Sequence, residues 1–248
     1  MNIIEELLQK YKKLHFSLID PDRQTPEEAG RRAKICEGYG TNAIMVGGST
    51  VKDRSIVYDT VKVIKESVEV PTILFPNSAD IIPENVNHIF FLRLLNSKEK
   101  KYLIDEQVRG TPIVKKWNIE PISTGYIVMS TSKRPTTIEK NVKLHKIQIN
   151  DIEKAVEYSV YAETLGMFCV YLEAGSDAER PISNEMLQAI RSEISLPIIV
   201  GGGIKNGDMT KEKVDAGADI IVNGTATEGN IKIIEEIVKK IRLLTSSI

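Results

Sequence analysis

Short apolar, β-branched runs alternate with amphipathic helical stretches along almost the whole 248-residue chain, and this alternation limits the possible folds more than any other feature. The runs begin near Leu14, Asn42, Thr72, His88, Gly125, Phe168, Pro197 and Asp219. Ile198-Ile199-Val200 and Ile220-Ile221-Val222 are apolar without a break, as strands covered on both faces of a parallel sheet must be. Helical patterns follow most runs, at residues 26–39, 55–68, 98–108, 152–165, 184–194 and 230–243. Eight such alternations with no linker between them predict a single α/β domain over residues 1–248, a (β/α)8 TIM barrel. An open doubly wound sheet is the alternative, but no GxGxxG fingerprint follows the first run.

The first of these helices has a readable start. Thr25 is placed to cap it, Pro26 takes the first helical position and Glu28 completes a capping box. Two stretches break the pattern. Residues 111–124 hold Trp117, the only tryptophan, and are read as irregular. Residues 130–150 carry Lys133, Arg134, Lys140, Lys143 and Lys146, and fit either a lid over a site or a solvated basic loop.

Charge and cysteine usage exclude some partners. Lys plus Arg total 33 against 34 Asp plus Glu, which leaves no electrostatic footprint for nucleic acid. Cys36 and Cys169 stand far apart, with no CxxC or Cys/His cluster, so neither a zinc site nor a disulfide framework is indicated. Residues 1–11 are helical in pattern and lack a signal peptide's apolar core. No apolar run approaches the roughly 18 residues of a membrane span. The expectation is a soluble, cytoplasmic protein.

In a barrel of this kind the chemistry sits at the carboxyl ends of the strands. After the seventh and eighth runs stand Gly201-Gly202-Gly203 and Gly224-Thr225. Glycines let backbone N–H groups close on an anion, and a following helix turns its free N–H groups toward it. Gly202, Gly203, Gly224 and Thr225 are therefore candidates to hold a phosphate. Glu173 ends an otherwise apolar strand, and strand alternation puts it on the same side as Tyr171. Desolvation there would raise its pKa and suit it to act as a base on a hydroxyl. Asp20, at the end of the first strand, together with Ser49 would supply oxygen ligands for Mg²⁺, which one or two carboxylates plus substrate phosphates commonly hold. Asp22 reads as part of an Asp-Pro-Asp turn, and both aspartates are placed across the barrel from the phosphate loops. His15 and His88 are read as packing at strand starts.

These strand ends, taken in order, resemble the geranylgeranylglyceryl phosphate synthase family, which includes the heptaprenylglyceryl phosphate synthases. The likeness covers His15-Phe16-Ser17-Leu18-Ile19-Asp20-Pro21-Asp22, Val46-Gly47-Gly48-Ser49, Tyr171-Leu172-Glu173-Ala174-Gly175-Ser176, Val200-Gly201-Gly202-Gly203-Ile204 and Gly224-Thr225. It implies an ether-forming prenyl transfer. The 3-hydroxyl of sn-glycerol 1-phosphate would attack the first carbon of a polyprenyl diphosphate, with geranylgeranyl diphosphate favoured over a longer donor. It also implies Glu173 as base, Mg²⁺ on Asp20 and Ser49, and glycerol phosphate held along Tyr171, Leu172, Glu173, Ala174, Gly175, Ser176 and Asp177. The family pattern has glycine where Asp177 stands. A homo-oligomer is implied as well, with Trp117 as a candidate interface anchor. Two other functions stay open on the residues alone: a phosphosugar isomerase or lyase, and a barrel that binds without catalysis.

Overall fold

The computed structural model describes residues 1–176, 178–224 and 230–245. Its eight strands are β1 (Leu14–Ile19), β2 (Ala43–Val46), β3 (Thr72–Leu74), β4 (His88–Leu94), β5 (Glu120–Val128), β6 (Cys169–Glu173), β7 (Ile198–Gly201) and β8 (Ile220–Asn223). Each pairs in parallel with the next. β8 pairs back onto β1 through Leu14–Ile220 and Phe16–Val222, which closes the barrel.

Strand alternation sorts the apolar residues into two layers. Leu14, Phe16, Met45, Ile73, Phe90, Tyr171, Ile199 and Ile220 fill the lumen. Leu172, Val200 and Ile221 on one side, and Ile44 and Leu74 on the other, pack outward against the helices. The upper lumen is aromatic, with the Tyr171 ring centred 5.3 Å from Tyr126 and 5.5 Å from Phe75. The Tyr126 contact is edge-to-face, a geometry that adds about 0.5–1.5 kcal/mol per pair beyond area burial. The amino-terminal end is plugged by α1 (Ile3–Tyr11), whose Ile4 and Leu7 join the lumen cluster.

The outer helices are α2 (Pro26–Tyr39), α3 (Arg54–Ser67), α4 (Glu106–Lys116), α6 (Ile152–Thr164), α7 (Asn184–Glu193), α8 (Gly207–Asp215) and α9 (Lys232–Thr245), with a short α5 (Thr137–Asn141) inside the long stretch after β5. At α2 the Thr25 hydroxyl accepts from Glu28 N–H, but the reciprocal half of the expected box is missing. The Glu28 carboxylate turns instead to Arg31 and Arg32, whose charges are the stronger partners. A reciprocal box does form at α5, between Thr136 and Glu139.

Two expectations need correction. Residues 111–116 are helical, and β5 begins at Glu120 rather than at Gly125. Gly110 and Pro112 obscure α4 in the sequence, since proline disfavours the helical region for the residue before it. Burial of Gly110 and Val114 anchors the helix nonetheless. β3 is followed by a three-residue 3-10 turn, Ala79–Ile81, where other strands carry a helix.

Candidate active site

A cavity of about 650 Å³ opens at the carboxyl ends of the strands. Glu173, Gly175, Ser176 and Gly224 form one side, and Asp20, Gly48 and Ser49 another. From there it runs between β4 and α4 as an apolar channel lined by Phe75, Ile82, Phe91, Leu92 and Gly110.

β6 positions the central carboxylate. Cys169, Tyr171 and Glu173 alternate into the lumen, and Glu173 is only 8% exposed. Gly175 N–H donates to its Oε1 at 2.6 Å. Burial raises the carboxyl pKa, while hydrogen bonds from Gly175 N–H and the Tyr171 hydroxyl pull it down. Burial beside this carboxylate pushes the Tyr171 and Tyr126 phenols well above their usual range, so both stay neutral. The result is a desolvated base with a free edge toward the cavity. By the same alternation Leu172 and Ala174 point away from the mouth into the layer beneath the helices. Their side chains therefore do not line the cavity.

The loop after β7 closes on this carboxylate. A Cβ at Gly201 would lie 2.6 Å from the Tyr171 hydroxyl oxygen, so only a bare backbone fits. Gly202 and Gly203 follow at φ +84° and +73°, a conformation that side chains disfavour. A Cβ on Gly202 would stand 2.7 Å from Gly175 N and 2.8 Å from Glu173 Oε1. The loop then enters α8, which Asn206 caps through Met209 N–H at 2.9 Å. Gly202 thus lies beside the expected base, whereas a Cβ on Gly203 would meet Arg180 and Pro181, and Gly224 lines the cavity wall. Thr225 and Asp177 fall outside the described residues.

A buried polar relay ties these loops together, and it was not anticipated. Asn223, at the end of β8, donates from Nδ2 to the Ile204 carbonyl at 2.9 Å. Its Oδ1 faces His15 Nε2 at 3.2 Å, and His15 Nδ1 meets the Thr41 hydroxyl at 2.8 Å. An acceptor at Nε2 assigns the proton to that nitrogen. Burial lowers the His15 pKa to about 4, against the smaller opposing effect of Asn223, so the ring is neutral near pH 7. The sequence signal was present: His15 and Asn223 are polar at outward positions of apolar strands, where an unpaired polar group is costly. His88, by contrast, is only half-buried and pairs with Glu120 at 2.8 Å.

Asp20 follows β1 and accepts from Asp22 N–H at 3.0 Å, while Asp22 itself takes the Thr50 hydroxyl at 3.0 Å. Gly48 leaves room for the Asp20 carboxylate, since a Cβ there would collide with it. Ser49 is exposed beside it on the cavity wall. Because β1 pairs with β8, Asp20 flanks the phosphate loops rather than lying across the barrel from them. Among the described residues no group of three or more His, Cys, Asp or Glu could chelate a metal alone. One carboxylate and a hydroxyl at a cavity wall fit a hard cation held largely by substrate oxygens, which is the habit of Mg²⁺.

Comparisons with known proteins agree with this fold. A model of the PcrB family matches residues 5–241. The geranylgeranylglyceryl phosphate synthase of Pyrococcus abyssi is 44% identical over 240 residues, covering 96% of this chain and 93% of its own. The same-named protein of Methanococcoides burtonii is 41% identical, covering 99% and 97%. Among solved structures, (S)-3-O-geranylgeranylglyceryl phosphate synthase from Thermoplasma acidophilum, in complex with substrate sn-glycerol-1-phosphate, superposes with a TM-score of 0.92 at 33% identity, covering 98% of this chain and 99% of that one.

Proposed function

Since the chain belongs to the PcrB family, we propose that it joins the 3-hydroxyl of sn-glycerol 1-phosphate to geranylgeranyl diphosphate, releasing diphosphate, as a geranylgeranylglyceryl phosphate synthase. One observation carries this reading. A buried carboxylate, Glu173, accepts from Gly175 N–H beside Gly202, at the head of a cavity that continues as an apolar channel. A phosphate-anchored alcohol and a long apolar donor need those three parts in that order.

The phosphate of the acceptor rests on backbone N–H groups of Gly202, Gly203 and Gly224, and the start of α8 adds its partial positive charge. Ser176 and the Gly175 backbone direct the glycerol toward Glu173. The acceptor oxygen then bonds to the first carbon of the donor while that carbon's bond to the diphosphate oxygen breaks. The hydroxyl proton passes to Glu173, which burial makes a stronger base than an exposed carboxylate. Tyr171 orients the carboxylate and the aromatic lumen beneath excludes water. Asp20 and Ser49 would hold Mg²⁺, which supplies charge neutralisation for the departing diphosphate. The donor's chain lies along Phe75, Ile82, Phe91 and Gly110. No helix among the described residues is long and apolar enough to cross a membrane, and we place the enzyme in the cytoplasm. Trp117, 40% exposed at the end of α4, remains the candidate anchor of a homo-oligomer.

The test is direct. Labelled sn-glycerol 1-phosphate incubated with protein, geranylgeranyl diphosphate and Mg²⁺ should yield label extractable into organic solvent, and chelation of the metal should abolish it. Protein that binds glycerol phosphate yet yields no extractable label with any prenyl donor would overturn the assignment.

A further inference from the structure

The rim of the cavity carries a surface that prenyl transfer leaves unused. Lys133, Arg134, Lys140, Lys143 and Lys146 are all exposed, and Glu139 is the only carboxylate within residues 133–146. That carboxylate is turned inward, accepting from the Ser130 hydroxyl at 2.6 Å and Thr136 N–H at 2.8 Å. Lys98 joins the group, because its N–H donates to the Lys143 carbonyl at 2.8 Å and Ser97 bridges Leu144. None of these six side chains makes an ion pair among the described residues. The protein as a whole has a formal net charge of −1, so the excess is local.

Both rim segments divide their residues between two sides. In the first, Ile138 and Val142 line the cavity while Lys140 and Lys143 stand exposed. In the second, Tyr102, Glu106, Gln107 and Gly110 line the cavity while Ile104 and Val108 are 47% and 64% exposed. Cations with no ion pair among the described residues and exposed aliphatic side chains therefore share the rim through which the apolar channel is reached. A lone apolar pair binds a bilayer weakly and a lone basic patch binds it reversibly, whereas the two together give stable association.

We propose that this rim is a docking surface for an anionic lipid bilayer, with the cations on the headgroups and Ile104 and Val108 in the interface. The passage of a lipid-borne donor into the channel rests on the proposed prenyl transfer; the docking itself does not. Charge complementarity favours a bilayer over a second copy of this chain, whose matching rim would bring six cations against six. Each Lys or Arg near an anionic surface strengthens binding about fivefold, and salt screens the effect.

Cosedimentation of the full-length protein with phosphatidylcholine vesicles, with and without phosphatidylserine, tests the proposal. Binding should appear with the anionic vesicles and fall steeply with salt. Lys140→Ala/Lys143→Ala/Lys146→Ala should weaken it about a hundredfold. Ile104→Ser/Val108→Ser should weaken it without changing the salt slope, and thermal unfolding should confirm that both variants fold. The triple variant should keep its turnover on detergent-dispersed donor and lose it on vesicle-embedded donor. Equal binding to neutral vesicles would overturn the proposal. So would a triple variant that loses turnover equally on both donors, because the cations would then serve the substrates' own phosphates. Dissociation of an oligomer by Ile104→Ser/Val108→Ser would give that face to a second copy and equally contradict bilayer docking. Vesicle binding needs no turnover, so failure of the prenyl-transfer assignment leaves this test intact.

Discussion

His15 should make this protein acid-labile, by an amount the structure allows to be worked out. The ring is fully buried, and its pKa falls from the ordinary 6.5 to about 4, chiefly through desolvation. As pH falls through 6.5 the unfolded chain takes up a proton at this position, while the folded protein does so only near 4. Stability is therefore intact above that window and lost within it on acidification. The separation of 2.5 between 6.5 and 4 corresponds to about 3.4 kcal/mol when both states are fully titrated. Between pH 7 and pH 4.5 about 2.4 kcal/mol of this is lost. For a chain of this size, that lowers Tm by roughly 5–10 °C. Glu173 acts in the opposite direction: its carboxyl pKa is raised, so acidification relieves a burial cost. Comparison with a variant cancels that and every other shared contribution. His15→Gln keeps a donor toward Asn223 and does not titrate, so its Tm should fall by 5–10 °C less than the parent's over the same interval. Thermal unfolding of both proteins at pH 7 and pH 4.5 is the assay. Equal acid losses in the two would refute the assignment of a buried neutral imidazole.

Gly202→Ala places a Cβ against Gly175 N and Glu173 Oε1 and forces a left-handed residue, at a cost of about 1–2 kcal/mol in backbone strain alone. Steady-state kinetics should show KM for glycerol phosphate raised at least tenfold and kcat lowered; values within twofold of the parent would remove this loop from the phosphate site. Asn223→Ala leaves the Ile204 carbonyl and His15 Nε2–H without their partner, each a loss of about 1–3 kcal/mol. Its Tm should fall and KM for glycerol phosphate should rise, with KM for the prenyl donor unchanged. A Tm loss with both KM values unchanged would make the relay purely structural.

The barrel was legible because parallel strands buried on both faces leave unbroken β-branched runs, as at Ile198–Val200 and Ile220–Val222. Glu173 was legible for a related reason, since a carboxylate ending such a strand can only face the mouth or break the core. Strand alternation also turns the Leu172 and Ala174 side chains outward, a point that the segment's likeness to a family motif obscured. α4 was truncated because Gly110 and Pro112 are local helix breakers, while the burial of Val114 that overrides them is a tertiary fact. The neighbourhood of Asp20 and the phosphate loops was misplaced because adjacency of β1 and β8 exists only once the barrel closes. The His15–Asn223 relay joins residues 208 positions apart, and local spacing carries no trace of such a contact.

The central claim is that Glu173 removes the proton from a phosphate-anchored alcohol. The most direct measurement is the single-turnover rate of ether formation by the parent and by Glu173→Gln, with glycerol phosphate binding determined calorimetrically on the same samples. The amide keeps the shape of the carboxylate and an acceptor for Gly175 N–H, so the affinity for glycerol phosphate should stay within a few-fold. The rate should fall by about 10²–10⁴. A rate within tenfold of the parent at unchanged affinity would contradict the account and require a base elsewhere in the cavity.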